Sequence, residues 1–324
     1  VCGAGAVLVV AGALMASRRG SSFIPRLYEE AIVISTARLA GISLEESLRY
    51  STQIEKIILE KYPHEVQHVW SRTGTAQVAT DPMGLELTDI FLTLTPRAQW
   101  TRAKTQAELT DLMAKELASL PAMRMVFTQP IEMRMNEMVA GSRADIGVKI
   151  FGDDLEQLRA SAAEVEALLR LIPGSADVSA EQITGQPVLE IRVDQDALAR
   201  YGVPASQVLE LVQAVGETKA GEVREEQRRF DLVVKLAEPY RQDANALGRI
   251  IVPTASGERI PLASLARIRQ TEGPATLTRE WQKRRIVVQC NVRGRDLGGF
   301  VTEARRRIAE AVRLPPGYYV GFGG

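Results

Sequence analysis

The chain has 324 residues, 45% hydrophobic and 25% charged, the composition of a globular protein with room for two or three small domains. Lys+Arg and Asp+Glu both number 40, so no bulk field favours nucleic acid or an acidic surface. The two cysteines, Cys2 and Cys290, speak against a disulfide framework or a cysteine zinc site.

Val1 to Ala16 form an apolar run followed by Arg18 and Arg19. About 20 apolar residues are needed to cross a bilayer, so the run is too short to span alone. It also lacks the starting Met and basic leader of a secretory signal. Residues 1–21 therefore read as the exit end of a membrane helix, with a buried core helix as the alternative. This start and the final Gly321-Phe322-Gly323-Gly324 both read as cuts.

From there one pattern occurs four times. Strand 31–35 leads into a helix that starts near Ser43 and carries Leu44, Leu48, Ile54, Ile57 and Ile58, then Pro63 and strand 66–69. Strand 90–94, helix 106–120, Pro121 and the apolar run 123–127 follow. The third unit is strand 146–151, helix 155–172, Pro173 and strand 176–178; the fourth is strand 286–292, helix 300–314, Pro315, Pro316 and strand 318–320. The helices place apolar residues three or four apart, and the strands are Val/Ile-rich or alternating. Each proline ends its helix, because it offers no N–H and clashes with the preceding turn. Strand–helix–strand units with one buried helix face predict an α+β fold with helices on one side of each sheet. Four units pair into two split βαβ (ferredoxin-like) subdomains. A weak internal repeat supports the pairing, since Leu48, Ile58 and Pro63 recur as Leu158, Leu168 and Pro173. Between units three and four lie strand 188–193, helices around 196–201 and 206–215, and strands 229–236, 250–253 and 260–268. Ala255-Ser256-Gly257-Glu258 is a hairpin turn. Residues 205–273 are predicted to form an inserted small α/β subdomain.

Several runs carry a family likeness. They are Ser22-Phe23-Ile24-Pro25, Thr80-Asp81-Pro82-Met83-Gly84-Leu85-Glu86, Pro130-Ile131-Glu132-Met133-Arg134 and Asn136-Glu137-Met138-Val139-Ala140-Gly141, then Arg200-Tyr201-Gly202, Arg228-Arg229-Phe230-Asp231, Gly273-Pro274 and Gly294-Arg295-Asp296-Leu297. Taken in order over essentially the whole chain, they resemble the RND (resistance–nodulation–division) transporters, specifically the heavy-metal branch of cobalt–zinc–cadmium type. The resemblance implies the second large periplasmic loop of a proton-driven, trimeric pump of the bacterial inner membrane. Residues 22–144 would form one porter subdomain, 145–204 with 274–324 the next, and 205–273 the docking subdomain. The implied partners are two further copies, a periplasmic adaptor protein and an outer-membrane channel, with no nucleic acid. The implied role is transport without covalent chemistry, so no catalytic residue and no cofactor are expected; a divalent metal ion is the cargo. The proton-relay carboxylates of such pumps lie in membrane helices outside this chain.

The copper and silver branch of that family uses a Met cluster, whose aligned positions here are Ser35, Leu87 and Glu137. Thioethers select Cu(I), whereas carboxylates suit harder ions. The resemblance therefore implies a carrier of zinc, cobalt, cadmium or nickel, with Glu86, Asp89, Glu137 and Asp145 as candidate ligands. Residues 87 and 89 share one strand face, Glu137 occupies a Met position, and Asp145 opens the third unit. Ordinary solvated carboxylates at strand ends are the plain alternative. Met123, Met125, Met133, Met135 and Met138 read as core or cleft lining, because Met fills irregular gaps. A rival of the same family would export organic molecules.

A rival of another class is a zinc peptidase, because His64-Glu65-Val66-Gln67-His68 matches H-E-x-x-H. That chemistry needs both histidines on one helix turn. Here the run follows Pro63 and alternates like a strand, which would separate the histidines by about 13 Å. The Gly-rich run 294–299 reads as a turn with Asp296 near a helix start, where a carboxylate suits the helix dipole.

Overall fold

The structure is a computed structural model that describes Gly12 and residues 28–75, 83–121, 123–139, 141–241 and 243–323. The expected membrane-helix end, residues 1–21, lies outside the described residues apart from Gly12, as do the runs 22–25 and 80–82. Among the described residues no helix is long and apolar enough to cross a membrane.

The first lobe runs β1 (Ala31–Ala37), α1 (Leu44–Lys61), β2 (Val66–Thr73), β3 (Leu87–Leu94), α2 (Gln106–Leu117) and β4 (Arg124–Thr128). Polar caps set the helix starts. Ser43 Oγ accepts from Glu46 N–H, and Thr105 Oγ1 from Glu108 N–H, both at 3.2 Å. The strands form an antiparallel sheet in the order β2-β3-β1-β4. One face packs Ile32, Ile34, Ile90 and Leu92 against Ile54, Ile58, Leu109 and Met113 of the helices. A further helix, α3 (Pro130–Val139), follows β4; the sequence pattern did not predict it.

The second lobe begins with β5 (Ile146–Phe151), α4 (Leu155–Arg170) and β6 (Ser175–Ala180). The chain then builds a separate unit, Gln186–Gly273. It comprises β7 (Thr184–Val193), α5 (Gln195–Tyr201), α6 (Ala205–Gly216), β8 (Thr218–Glu225), β9 (Arg228–Val234), α7 (Glu238–Arg241), α8 (Ala244–Gly248), β10 (Ile251–Pro253), β11 (Arg259–Pro261) and β12 (Ala266–Pro274). Its core joins Leu198, Val203, Val208, Val252, Leu262 and Leu265. The unit starts ahead of the expected boundary at residue 205, because β7 pairs with β12 and Leu198 and Val203 belong to this core. The strand expected over 260–268 is two strands, broken at Pro261 by a 3-10 turn. Strand β8 was not foreseen; its sequence is polar and exposed along its length.

The chain returns with β13 (Thr278–Glu280), β14 (Lys283–Val292), α9 (Leu297–Ala311) and β15 (Tyr319–Gly323). The sheet order is β13-β14-β5-β15, with β6 also on β14. With the short edge strand β13 set aside, the second lobe's order β6-β14-β5-β15 matches the first lobe's β2-β3-β1-β4, second-third-first-fourth in each, the split βαβ arrangement. The caps again set the starts: Asp154 accepts from Gln157 N–H at 2.8 Å, and Asp296 from Gly299 N–H at 2.6 Å. With Asp296 as cap, α9 begins at Leu297, ahead of the expected residue 300.

The internal repeat is real but displaced by one residue. The buried stripe of α1 is Ser47, Ser51, Ile54 and Ile58, and that of α4 includes Leu158, Ala162, Val165 and Leu169. Ser47 therefore corresponds to Leu158, as cap Ser43 does to Asp154, whereas Leu48 is 49% exposed. Where the second lobe uses Leu158 and Ala162, the first uses hydroxyls. Ser51 Oγ and Thr88 Oγ1 accept from the buried Arg38 guanidinium at 3.0 and 2.7 Å.

Candidate carboxylate site

The face of the first sheet turned away from α1 and α2 carries Asp89, one of the expected carboxylates. Ser35, Asp89 and Arg72 are direct cross-strand neighbours on β1, β3 and β2. Phe91 and Trp70 form the next rung on that face, with rings stacked 4.1 Å apart. Helix α3 lies over this face. Its N-terminus is fixed by Glu29, whose carboxylate accepts from Ile131 N–H at 2.9 Å and Glu132 N–H at 3.2 Å, a favourable place for an acid. Met133 is buried and its sulfur lies 3.8 Å from Ser35 Oγ, while Glu137 follows one turn later. Gly141 N–H bonds Glu137 O at 3.1 Å and adopts φ +68°, a left-handed helix end that suits glycine. The chain thereby turns back and delivers Arg143 to the same place.

Asp89 is 0% exposed, and three groups reach its carboxylate. Ser35 Oγ donates to Oδ1 at 2.9 Å, Arg143 Nη1 bonds the same oxygen, and Arg72 Nη2 donates to Oδ2 at 2.7 Å. Arg143 also reaches Glu137 through Nε at 3.0 Å, and Arg134 Nη1 bonds Glu137 at 2.7 Å. One guanidinium thus joins the two carboxylates.

Asp145 is engaged elsewhere, at the seam between the lobes. Its Oδ2 accepts from Val292 N–H at 2.9 Å, and its own N–H donates to Asn291 Oδ1 at 3.1 Å. Asn291 Nδ2 in turn donates to Phe127 O at 3.0 Å and Asp177 Oδ2 at 2.8 Å. Asp177 also accepts from Phe127 N–H and from Arg293, which reaches across to Asp111. Burial pushes the Asp177 carboxyl above its ordinary range despite Arg293 beside it. Glu86 stands at the entry to β3, half-buried, with its carbonyl accepting from Arg38 N–H at 2.9 Å. Of the four expected carboxylates, then, Asp89 and Glu137 share a partner. Among the described residues no three His, Cys, Asp or Glu stand close enough together to hold a metal ion.

The methionines of the run 123–138 do not share one setting. Met123 and Met125 pack on the first lobe's core, Met133 is buried under α3, and Met138 is 79% exposed. The peptidase-like run has no catalytic geometry either. Val66 begins β2, so the run is no helix, and both histidines are exposed. Glu65 is buried the other way, accepting from Thr101 N–H and Arg102 N–H at 2.7 Å. Sequence reasoning missed the arginines. Their only signal is the alternation that puts Arg72 on the face of Trp70 and His68, and it does not say which acid they meet.

The model of the AcrB/AcrD/AcrF family matches residues 1–324. The chain is 41% identical over 326 residues to the "Cation efflux system protein CzcA" of Alcaligenes sp. (strain CT14), covering 98% of this chain and 31% of that protein. It is 40% identical over 326 residues to the "Cobalt-zinc-cadmium resistance protein CzcA" of Cupriavidus metallidurans, with the same coverage. A crystal structure of a heavy metal efflux pump superimposes with a TM-score of 0.94 at 32% identity, over 100% of this chain and 33% of that one. The chain spans about a third of the length of these relatives.

Proposed function

The chain belongs to the AcrB/AcrD/AcrF family, and from that premise we propose that it is the porter and docking region of an efflux pump for divalent heavy-metal cations. The whole protein would be a proton-driven trimer of the bacterial inner membrane, with this region in the periplasm. It would work with a periplasmic adaptor protein and an outer-membrane channel, as a transporter and not an enzyme. The two α/β lobes carry the cargo path, and the unit 186–273 serves docking.

The observation that supports the ion class is the donor chemistry at the α3 face. Asp89 and Glu137 meet at one guanidinium, and Ser35 adds a hydroxyl. Oxygen donors suit zinc, cobalt, nickel or cadmium better than Cu(I), which prefers sulfur; Met133 supplies a single buried thioether. Asp89 and Glu137 are the proposed principal ligands, with Glu86 and Asp145 as further carboxylates on the path. A second reading, export of organic molecules, draws on the Trp70–Phe91 stack, because Trp70 is 53% exposed on the same sheet face.

Calorimetric titration of the 324-residue chain with Zn²⁺, Co²⁺, Ni²⁺ and Cu(I) tests the choice. The expected result is weak, saturable binding of the divalent ions, reduced in Asp89→Ala and Glu137→Ala. Preference for Cu(I), or divalent binding indifferent to both substitutions, contradicts it. A chain that keeps no zinc but binds aromatic solutes, with loss in Trp70→Ala, favours the organic reading.

A further inference from the structure

Arg143 is placed to compete with the cargo. It lies in the connection between α3 and β5, and among the described residues it is the one whose guanidinium is seen to bond both Asp89 and Glu137. Arg72 and Arg134 differ in footing. Arg72 is held within β2 beside Asp89, and Arg134 lies on α3 three residues from Glu137. Arg143 follows Gly141 in a short link and its side chain is 17% exposed, so it has a route to water that fully buried Asp89 lacks.

We propose that Arg143 is a built-in counterion that a divalent cation must displace to reach Asp89 and Glu137, and that its return expels the ion. This rests on the carboxylate reading above. Asp89 Oδ1 and Glu137 Oε1 each bond a different nitrogen of this one guanidinium, so both carboxylates border the space it fills. A metal ion taking that space needs oxygen ligands about 2.0–2.2 Å away, so the two side chains must close toward each other as the arginine leaves. The charge-assisted bonds broken on displacement subtract from the binding free energy. The site would then hold its ion weakly, as a transport site must, and the competitor would be regenerated without any chemical step.

The test is Zn²⁺ titration of the 324-residue chain in wild type, Arg143→Gln, Arg143→Lys and the double variant Arg143→Gln/Asp89→Asn, with circular dichroism to verify folding. Removing the competing charge is expected to tighten Zn²⁺ binding by about tenfold, equivalent to about 1.4 kcal/mol. Arg143→Lys keeps the charge and should stay near wild type, and the double variant should lose the gain. A folded Arg143→Gln chain that binds Zn²⁺ no tighter than wild type overturns the proposal. If Asp89→Asn alone, titrated alongside these, weakens binding relative to wild type in that case, the carboxylate reading survives. If no variant and not the wild type binds Zn²⁺, both fall together. A merely structural arginine would lower affinity on removal, so the direction of the change separates the two roles.

Discussion

Asp89 is fully removed from water, and an ionised carboxylate there is tolerable only because Ser35, Arg72 and Arg143 meet it. Asp89→Ala therefore removes the buried acid that Arg72 and Arg143 share, and breaking such a buried pair costs about 3–5 kcal/mol. Because Arg72 is 32% exposed, the lower end of that range is expected in urea unfolding. The exposed Arg306–Glu310 pair is the control, and Glu310→Ala should cost no more than about 0.5 kcal/mol. Equal costs for the two substitutions would refute the burial argument. Glu65 provides a pH signature. Burial pushes its carboxyl up, but the N–H groups of Arg102 and Thr101 and the Thr101 hydroxyl together hold it below its ordinary 4.5. A lowered folded value stabilises the fold above the unfolded value, and that contribution is lost as pH falls through the folded one. Glu65→Gln should flatten the acid limb of a stability-against-pH curve below about pH 4.5; an unchanged limb would mean that other carboxylates control it.

At the scale of elements, the seam between the lobes depends on a strained residue. Asp177 of β6 has φ +52°, a left-handed conformation unusual outside glycine, at an irregularity in the β14–β6 ladder. It is kept there by donors from both lobes, Phe127 of β4 on one side and Asn291 and Arg293 on the other. Asp177→Gly should relieve the strain yet lose those bonds. Hydrogen exchange is then expected to quicken in β4 and β6 and to stay unchanged in α1, whereas uniform protection would show that the seam does not depend on this carboxylate. Elements of this kind differ in how readable they are. The long helices were legible because a cap and a proline bracket an apolar stripe, as Ser43 and Pro63 do for α1. Helix α3 was not, because it is short and presses one side chain, Met133, fully into the protein. Strand β8 was missed because Val223 is its only large apolar residue, whereas the equally exposed β9 carries Phe230, Leu232, Val233 and Val234.

Over the whole molecule, two lobes share one strand order and differ in what interrupts them, the second admitting the unit 186–273 between its second and third strands. The pairing of units was legible from periodicity. The one-residue displacement of the repeat was not, since Ser47 and Ser51 replace apolar residues in the buried stripe and leave Leu48 as the nearest apolar match. The candidate site was half legible. The strand face of Asp89 and the position of Glu137 could be read, but the arginines that neutralise them come from β2, α3 and the link before β5, a meeting only the tertiary fold creates. The central claim is that oxygen ligands from Asp89 and Glu137 take the cation, and X-ray absorption at the zinc edge of the Zn²⁺-loaded chain tests it most directly. The account predicts a shell of light ligands at about 2.0–2.2 Å that disappears in Asp89→Asn/Glu137→Gln. A shell dominated by sulfur at about 2.3 Å, or one untouched by that double substitution, would contradict it.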